Sequence, residues 1–118
     1  MLDICNKLCN NCLFSKKSMR GFLAQYTIED ITSFMRFDVL FPCHKFVKED
    51  TEMAVVDSLV RKGDLPLCRG YVEMLIKSSK LPRAPALSDV VVTLKNNNDI
   101  SEDSMSIFEF ISHHIITP

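Results

Sequence analysis

Cys9-Asn10-Asn11-Cys12 is the most informative stretch of this chain. Two later stretches belong with it, namely Phe41-Pro42-Cys43-His44 and Leu67-Cys68-Arg69-Gly70. Two thiolates separated by two residues can bind one tetrahedral ion from the same side, and donors further along the chain can complete the set of ligands. One ion would then tie the N-terminal loop to two later segments. The spacing therefore predicts four metal ligands, namely Cys9, Cys12, Cys43 and Cys68.

His44 is the alternative to Cys43 as a ligand. Pro42 pushes Phe41 toward extended geometry, and neighbouring side chains of an extended segment point to opposite faces. Only one of the two adjacent donors should therefore reach the ion. We take Cys43 as the ligand and His44 as its supporting neighbour, with the reverse assignment left open.

Cys68 lies where a helix is expected to begin, and the exposed N–H groups of a helix start favour a thiolate ligand. Zinc suits such a site, because it has no redox chemistry and accepts thiolate and imidazole in tetrahedral geometry. A [4Fe–4S] cluster on four thiolates is the alternative cofactor. The plainer interpretation is a set of buried core cysteines. Apolar residues are expected to surround the site, namely Leu13, Phe14, Phe41, Phe46, Leu67 and Tyr71.

These motifs resemble a family of small, uncharacterised bacterial and bacteriophage proteins with C-x2-C, then F-x-C-H, then C-x-G. The resemblance covers about residues 9–75 and rests on Cys9 to Phe14, Phe41 to His44 and Cys68 to Gly70. Leu13 stands where the family commonly has proline. The family is presumed to bind metal and its activity is not established. The resemblance thus implies a metal site and a bacterial or phage source, and it leaves the activity open.

Length and composition predict one domain. The chain has 118 residues, of which 47% are hydrophobic and 25% are charged, as in an ordinary globular domain with its own core. Residues 1–80 would form the metal-binding core, and residues 81–118 a proline-rich connector followed by a C-terminal helix. The net charge of −1 provides no positive field for nucleic acid, so that partner is only weakly supported.

The N-terminal sequence predicts a cytoplasmic protein, in the host cytoplasm if a phage encodes it. Met1-Leu2-Asp3-Ile4-Cys5 lacks the features of a signal peptide, and no apolar stretch is long enough to span a bilayer. The odd count of five cysteines favours ligands and buried thiols over a disulfide framework.

Apolar periodicity predicts a mainly α fold with four helices, at about 28–36, 53–62, 69–79 and 102–115. An α+β fold with a short hairpin is the alternative, since residues 37–41 read as a short strand and residues 90–94 as helix or strand. Thr27 and Asp30 form an approximate capping box, and Gly63 fits the position after a helix end. In the last helix one face is expected to carry four apolar residues, namely Met105, Phe108, Ile111 and Ile115.

The remaining polar groups suggest no catalytic site. His113 and His114 are expected to be partly exposed at a helix end, and the basic turn of residues 16–20 to be solvated, with phosphate binding as its alternative. No nucleophile motif or phosphate-binding loop is present in the sequence. These observations favour a non-enzymatic binding or regulatory module with a protein partner. The alternative is an iron–sulfur redox or oxygen sensor related to transcription.

Overall fold

The structure, a computed structural model, describes residues 3–5, 8, 12–21, 23, 26–43, 52–98 and 100–115, except for the side chain of Met53. Within these residues the chain forms five helices, namely α1 (Ile28–Arg36), α2 (Met53–Arg61), α3 (Arg69–Lys77), α4 (Pro85–Asn97) and α5 (Ile107–His114). The prediction of a mainly α fold is confirmed. No helix in the described ranges is long and apolar enough to cross a membrane.

The β structure that joins described residues consists of isolated bridges. They pair Ile4 with Leu67, Ser15 with Ser104, and Pro42 with Leu67. The strand predicted at residues 37–41 does not form: Phe37 and Asp38 lie in a turn, and the bridge of this segment follows at Pro42. The described part of the chain contains no hairpin, so the α+β alternative is wrong for these residues.

Helix α3 lies at the centre of the molecule. Its seven residues from Arg69 to Leu75 are all buried, and it packs against both α4 and α5. Buried apolar residues from all five helices join the same core cluster, so the fold is a single domain. A helix this short is marginal in isolation, because its stability comes from the packing around it.

The ends of the first three helices agree closely with local signals. Thr27 Oγ1 accepts the N–H of Asp30 at 3.1 Å, and Asp30 Oδ2 accepts the N–H of Thr27 at 2.9 Å, which confirms the predicted capping box. Helix α2 ends before Gly63, whose φ of 81° is left-handed, as predicted. Helix α3 ends at Lys77, two residues earlier than predicted.

Helix α4 occupies the region that the sequence left undecided between helix and strand. Pro85 is its first residue, where proline is tolerated because the missing N–H would have no partner within the helix. Leu87, Val91 and Leu94 recur at helical spacing and are buried. The helix runs to Asn97 and ends at the left-handed Asn98, which extends it into the predicted polar turn.

The prediction for α5 is wrong in its start and in its buried face. The helix begins at Ile107, because Ser106 and Glu109 form a capping box that fixes its first turn. Phe110 and His114 are buried, whereas Phe108 is 79% exposed and Ile115 is 47% exposed. The buried face is set by Phe110, which stacks on Phe14 with ring centroids 5.3 Å apart. Met105 is buried as expected, but it precedes the helix.

Candidate metal centre

Two segments that carry predicted ligands are joined by backbone hydrogen bonds. The N–H of Cys68 donates to the carbonyl of Phe41 at 2.8 Å, and the N–H of Cys43 donates to the carbonyl of Pro66 at 3.1 Å. This antiparallel pairing places the backbone of Cys43 diagonally beside that of Cys68. The local cause is extended geometry on both sides, at Pro42 and at the N-cap residue Cys68.

The N-terminal segment pairs with the other edge of the same stretch. The N–H of Leu67 donates to the carbonyl of Asp3 at 2.8 Å, and the carbonyl of Leu67 accepts the N–H of Cys5 at 3.2 Å. Residues 66–68 therefore lie between two neighbouring segments. Cys5, which is not in the predicted ligand set, is thereby brought close to the start of α3.

The thiols of Cys12 and Cys68 form a buried pair. Their sulfur atoms are 3.9 Å apart, and the two residues are only 1% and 2% exposed. A disulfide requires about 2.05 Å, so these two sulfur atoms are not bonded to each other. Two thiolates on one tetrahedral zinc, each at about 2.3 Å from the ion, lie about 3.8 Å apart. The separation is that of an S–H···S hydrogen bond, in which either thiol can donate, and it also matches two ligands of a single ion.

Gly70 provides the space for this pair. A Cβ atom at Gly70 would lie 2.6 Å from Cys12 Sγ, 2.8 Å from Phe14 Cβ and 3.2 Å from Leu8 Cδ2. Two of these distances are shorter than van der Waals contact allows. The residue two positions after Cys68 must therefore lack a side chain if Cys12 is to reach Cys68. This is the physical reason for glycine in the C-x-G motif.

The other predicted ligands do not complete the site within the described residues. Cys43 is buried, at 3% exposure, but no three His, Cys, Asp or Glu side chains in the described ranges are grouped as metal ligands would be. Cys9 and His44 lie outside the described residues. Of the four predicted ligands, the structure brings Cys12 and Cys68 together.

Three aromatic side chains from the segments that carry predicted ligands pack against one another. The ring centroids of Phe14, Phe41 and Tyr71 are 5.4 to 5.8 Å apart, and all three rings are buried. Leu13 and Leu67 are also fully buried, as the sequence predicts, while Phe46 lies outside the described residues. Cys12 and Cys68 are themselves almost fully buried, so water has little access to the thiols.

Tyr71 contributes a buried polar atom to these surroundings. Its hydroxyl has no hydrogen-bond partner in the described part of the chain. Burial raises the pKa of Tyr71 well above its ordinary value, and the negative charges of Asp38 and Cys68 raise it further. The phenol is therefore neutral, and it carries a donor that is left unused.

A buried ion pair beside the site was missed from the sequence. Arg69 Nε donates to Glu73 Oε2 at 2.8 Å, and Arg69 Nη1 donates to the carbonyl of Cys5 at 3.3 Å. Glu73 Oε1 accepts the N–H of Ser101 at 2.7 Å. Opposite charges four residues apart indicate an ion pair on one face of a helix, but such pairs are usually exposed. Here the pair links the first turns of α3 to the N-terminal segment at Cys5 and to the connection between α4 and α5 at Ser101.

The expectation that both C-terminal histidines are partly exposed is wrong for His114, which is only 2% exposed. Its Nε2 donates to the carbonyl of Leu13 at 2.7 Å, and its Nδ1 accepts the N–H of Gly21 at 3.1 Å. Burial lowers the pKa of His114, the hydrogen bond to Leu13 opposes this, and neighbouring His113 lowers it further. The neutral ring thus fastens α5 to the segment that begins at Cys12.

His113 is half-buried and close to Ser18, but the two do not form a nucleophile and base. His113 Nε2 is 2.8 Å from the carbonyl oxygen of Ser18, and only a protonated nitrogen can bond to that acceptor. The same nitrogen, 3.2 Å from Ser18 Oγ, therefore has no lone pair with which to take the hydroxyl proton. The contact is structural.

The basic turn is engaged with the C-terminal part of the chain. Lys16 lies 3.5 Å from Glu109, Lys17 lies 3.3 Å from Asp103, and Arg20 Nε donates to the carbonyl of His113 at 3.0 Å. Both ion pairs are solvent-exposed and contribute little to stability. These contacts support the solvated-turn interpretation over phosphate binding.

Fold and site together define a small helical protein with a buried thiol pair at the start of its central helix. No protein-family model, no curated protein and no solved structure matches the chain. The similarity to the C-x2-C, F-x-C-H, C-x-G family accordingly rests on the quoted motifs alone.

Proposed function

We propose that this chain is a small, non-enzymatic binding or regulatory module whose N-terminal loop is held to α3 by zinc. Cys9, Cys12, Cys43 and Cys68 are the proposed ligands, with His44 as the alternative to Cys43. The observation that carries the proposal is the separation of 3.9 Å between the buried sulfur atoms of Cys12 and Cys68. That separation fits two thiolates on one tetrahedral ion.

The same distance favours zinc over a [4Fe–4S] cluster. Each cysteine of a cluster binds a different iron, so its sulfur atoms lie farther apart than two ligands of a single ion. Zinc bound by thiolates would supply structural cross-linking with no redox chemistry. The cluster, with a role as redox or oxygen sensor, remains the outcome that would displace this proposal.

Burial of the thiol pair supports a structural role. Catalytic zinc keeps one coordination position open to water or substrate, whereas structural sites are closed. Cys12 and Cys68 are almost inaccessible to solvent, as ligands of a closed site would be. A protein partner is part of the proposal, and Phe37 and Phe108, which are 71% and 79% exposed, offer apolar surface to it. A bacterial or phage source and a reducing cytoplasm remain part of the proposal.

Elemental analysis of protein purified without chelators tests the proposal. We expect one zinc per chain, and we expect Cys9→Ser and Cys68→Ser each to lose the metal and to lower the free energy of unfolding by more than about 2 kcal/mol. Cys5→Ser is the matched control, because Cys5 is a partly buried cysteine outside the ligand set, and it should keep the metal. Comparing Cys43→Ser with His44→Ala identifies which of the two coordinates.

Two outcomes would contradict the proposal. Absence of metal together with wild-type stability of Cys9→Ser would leave the cysteines as ordinary core residues. Iron in place of zinc, with absorbance in the visible range after anaerobic purification, would establish the cluster.

A further inference from the structure

A groove lies between the end of α3 and the second half of α4, away from the thiol pair. Its volume is about 320 Å³, at the small end of the range for ligand sites. Ile76 and Val91 form its apolar floor, and Leu81 and Val92 stand on its rim with 60% and 42% of their surfaces exposed. Exposed aliphatic side chains beside a concave surface are typical of an interaction site.

The charged side chains that line the groove are all positive among the described residues. Lys80 and Lys95 line it together with Ser79 and Asn96, and no Asp or Glu of the described residues does so. Neither lysine forms an ion pair within the described part of the chain. The basic turn is different, because its lysines already lie beside carboxylates. The groove therefore combines an apolar surface with two cations that have no counter-charge among the described residues, and a partner could supply it.

The α3 side of the groove is rigid. Ser79 has a left-handed φ of 56°, its N–H donates to the carbonyl of Ile76 at 3.0 Å, and the N–H of Lys80 donates to the carbonyl of Leu75 at 2.9 Å. These two bonds form a Schellman motif, which usually has glycine at the left-handed position. The backbone that presents Lys80 is thus fixed before a partner arrives, which lowers the entropic cost of binding.

We propose that this groove binds an acidic, amphipathic peptide segment of a partner protein, with aliphatic side chains on the floor and carboxylates at Lys80 and Lys95. The inference rests on the proposed role as a protein-binding module and names the chemistry of its partner. A free fatty acid fits less well, because small-ligand sites bury most of the ligand and this groove is open along its exposed rim. A peptide carried by a protein covers that rim as well.

The test uses a fluorescein-labelled peptide in which leucine recurs at helical spacing among glutamates, and a counterpart with lysine in place of glutamate. We expect fluorescence anisotropy to show binding of the acidic peptide only, weakened by added salt. Lys80→Glu/Lys95→Glu should weaken binding by about tenfold or more. Arg36→Glu/Lys62→Glu is the matched control, since it changes the net charge equally at exposed positions outside the groove. Amide NMR shifts should map to the groove, and Val92→Ser should weaken binding without changing charge.

Equal binding of both peptides, wild-type affinity in the Lys80→Glu/Lys95→Glu variant, or amide shifts elsewhere on the surface would each overturn the inference. Self-association that Val92→Ser abolishes would replace the peptide by a second copy of the chain. Metal analysis of the same samples separates the two proposals. Peptide binding by metal-free wild-type protein would refute the zinc proposal alone, whereas zinc-loaded protein that binds no acidic peptide would refute the groove alone.

Discussion

Replacing Gly70 with alanine should damage the thiol pair through one added methyl group. The new Cβ would lie 2.6 Å from Cys12 Sγ and 2.8 Å from Phe14 Cβ, so each distance must grow by about 1 Å to reach ordinary contact. The Cβ of Phe14 is attached directly to the backbone and cannot rotate away. Cys12 Sγ can move only by leaving Cys68. Residues 12–14 must therefore shift as a unit.

The magnitude follows from two opposing terms. Overpacking of a closed core costs about 1–3 kcal/mol, and the better helix propensity of alanine returns at most about 1 kcal/mol. We expect the overpacking to be at the upper end, because two contacts are violated together, and the free energy of unfolding to fall by about 2 kcal/mol. Urea unfolding followed by circular dichroism measures this, and metal content should fall in parallel. Ser58→Ala, at an exposed position of α2, is the control for helix propensity. A Gly70→Ala protein as stable as the wild type would refute the close approach of Cys12 to α3.

The other predictions concern two buried side chains, His114 and Tyr71. His114 has a lowered pKa in the folded protein, so the unfolded chain takes up the proton first. Its contribution to stability is complete above the unfolded pKa of about 6.5 and is lost as the pH falls through the lower folded value. His114→Gln should therefore flatten the pH dependence of urea unfolding in this range, and a dependence as steep as that of the wild type would contradict the assignment. Tyr71→Phe should raise the free energy of unfolding by about 1 kcal/mol, because it removes a buried hydroxyl that has no partner among the described residues. Tyr26→Phe, at a half-buried ring, should change little, and a loss of stability in Tyr71→Phe would reveal an unrecognised hydrogen bond.

Local sequence signals predict helix ends correctly where a residue caps, or sets the conformation of, the backbone next to it. The capping box at Thr27 and the left-handed Gly63 specified helix ends without reference to the rest of the fold. Ser106 and Glu109 carry a similar signal for α5, and it fixes the start of the helix five residues later than the start at 102 that apolar periodicity predicts. The sequence does not show which face of α5 is buried, because Phe108 and Phe110 are equally apolar. Packing against Phe14 decides between them.

The candidate site likewise has features that the sequence predicts and features that depend on tertiary packing. Motif spacing brought Cys12 and Cys68 into one hypothesis, and the structure places their sulfur atoms in contact. The burial of Arg69 with Glu73 could not be predicted, because an exposed pair has the same spacing and only the surrounding segments remove it from water. The role of Gly70 likewise depends on how closely Cys12 approaches from a distant part of the chain.

The hydrogen bonds between residues 12–16 and residues 103–114 have a consequence for synthesis on the ribosome. His114 holds the carbonyl of Leu13 across 101 positions of sequence, and Met105 and Asp103 bond to the backbones of Phe14 and Lys16. Residues 12–16 are translated early, but residues 103–114, which contain their partners, leave the ribosome much later. Until residue 114 has emerged, Phe14 therefore lacks the ring of Phe110 that covers it in the folded protein. Contacts of such long range also slow folding relative to simple helical bundles, so we expect the fold to close only after release of this segment.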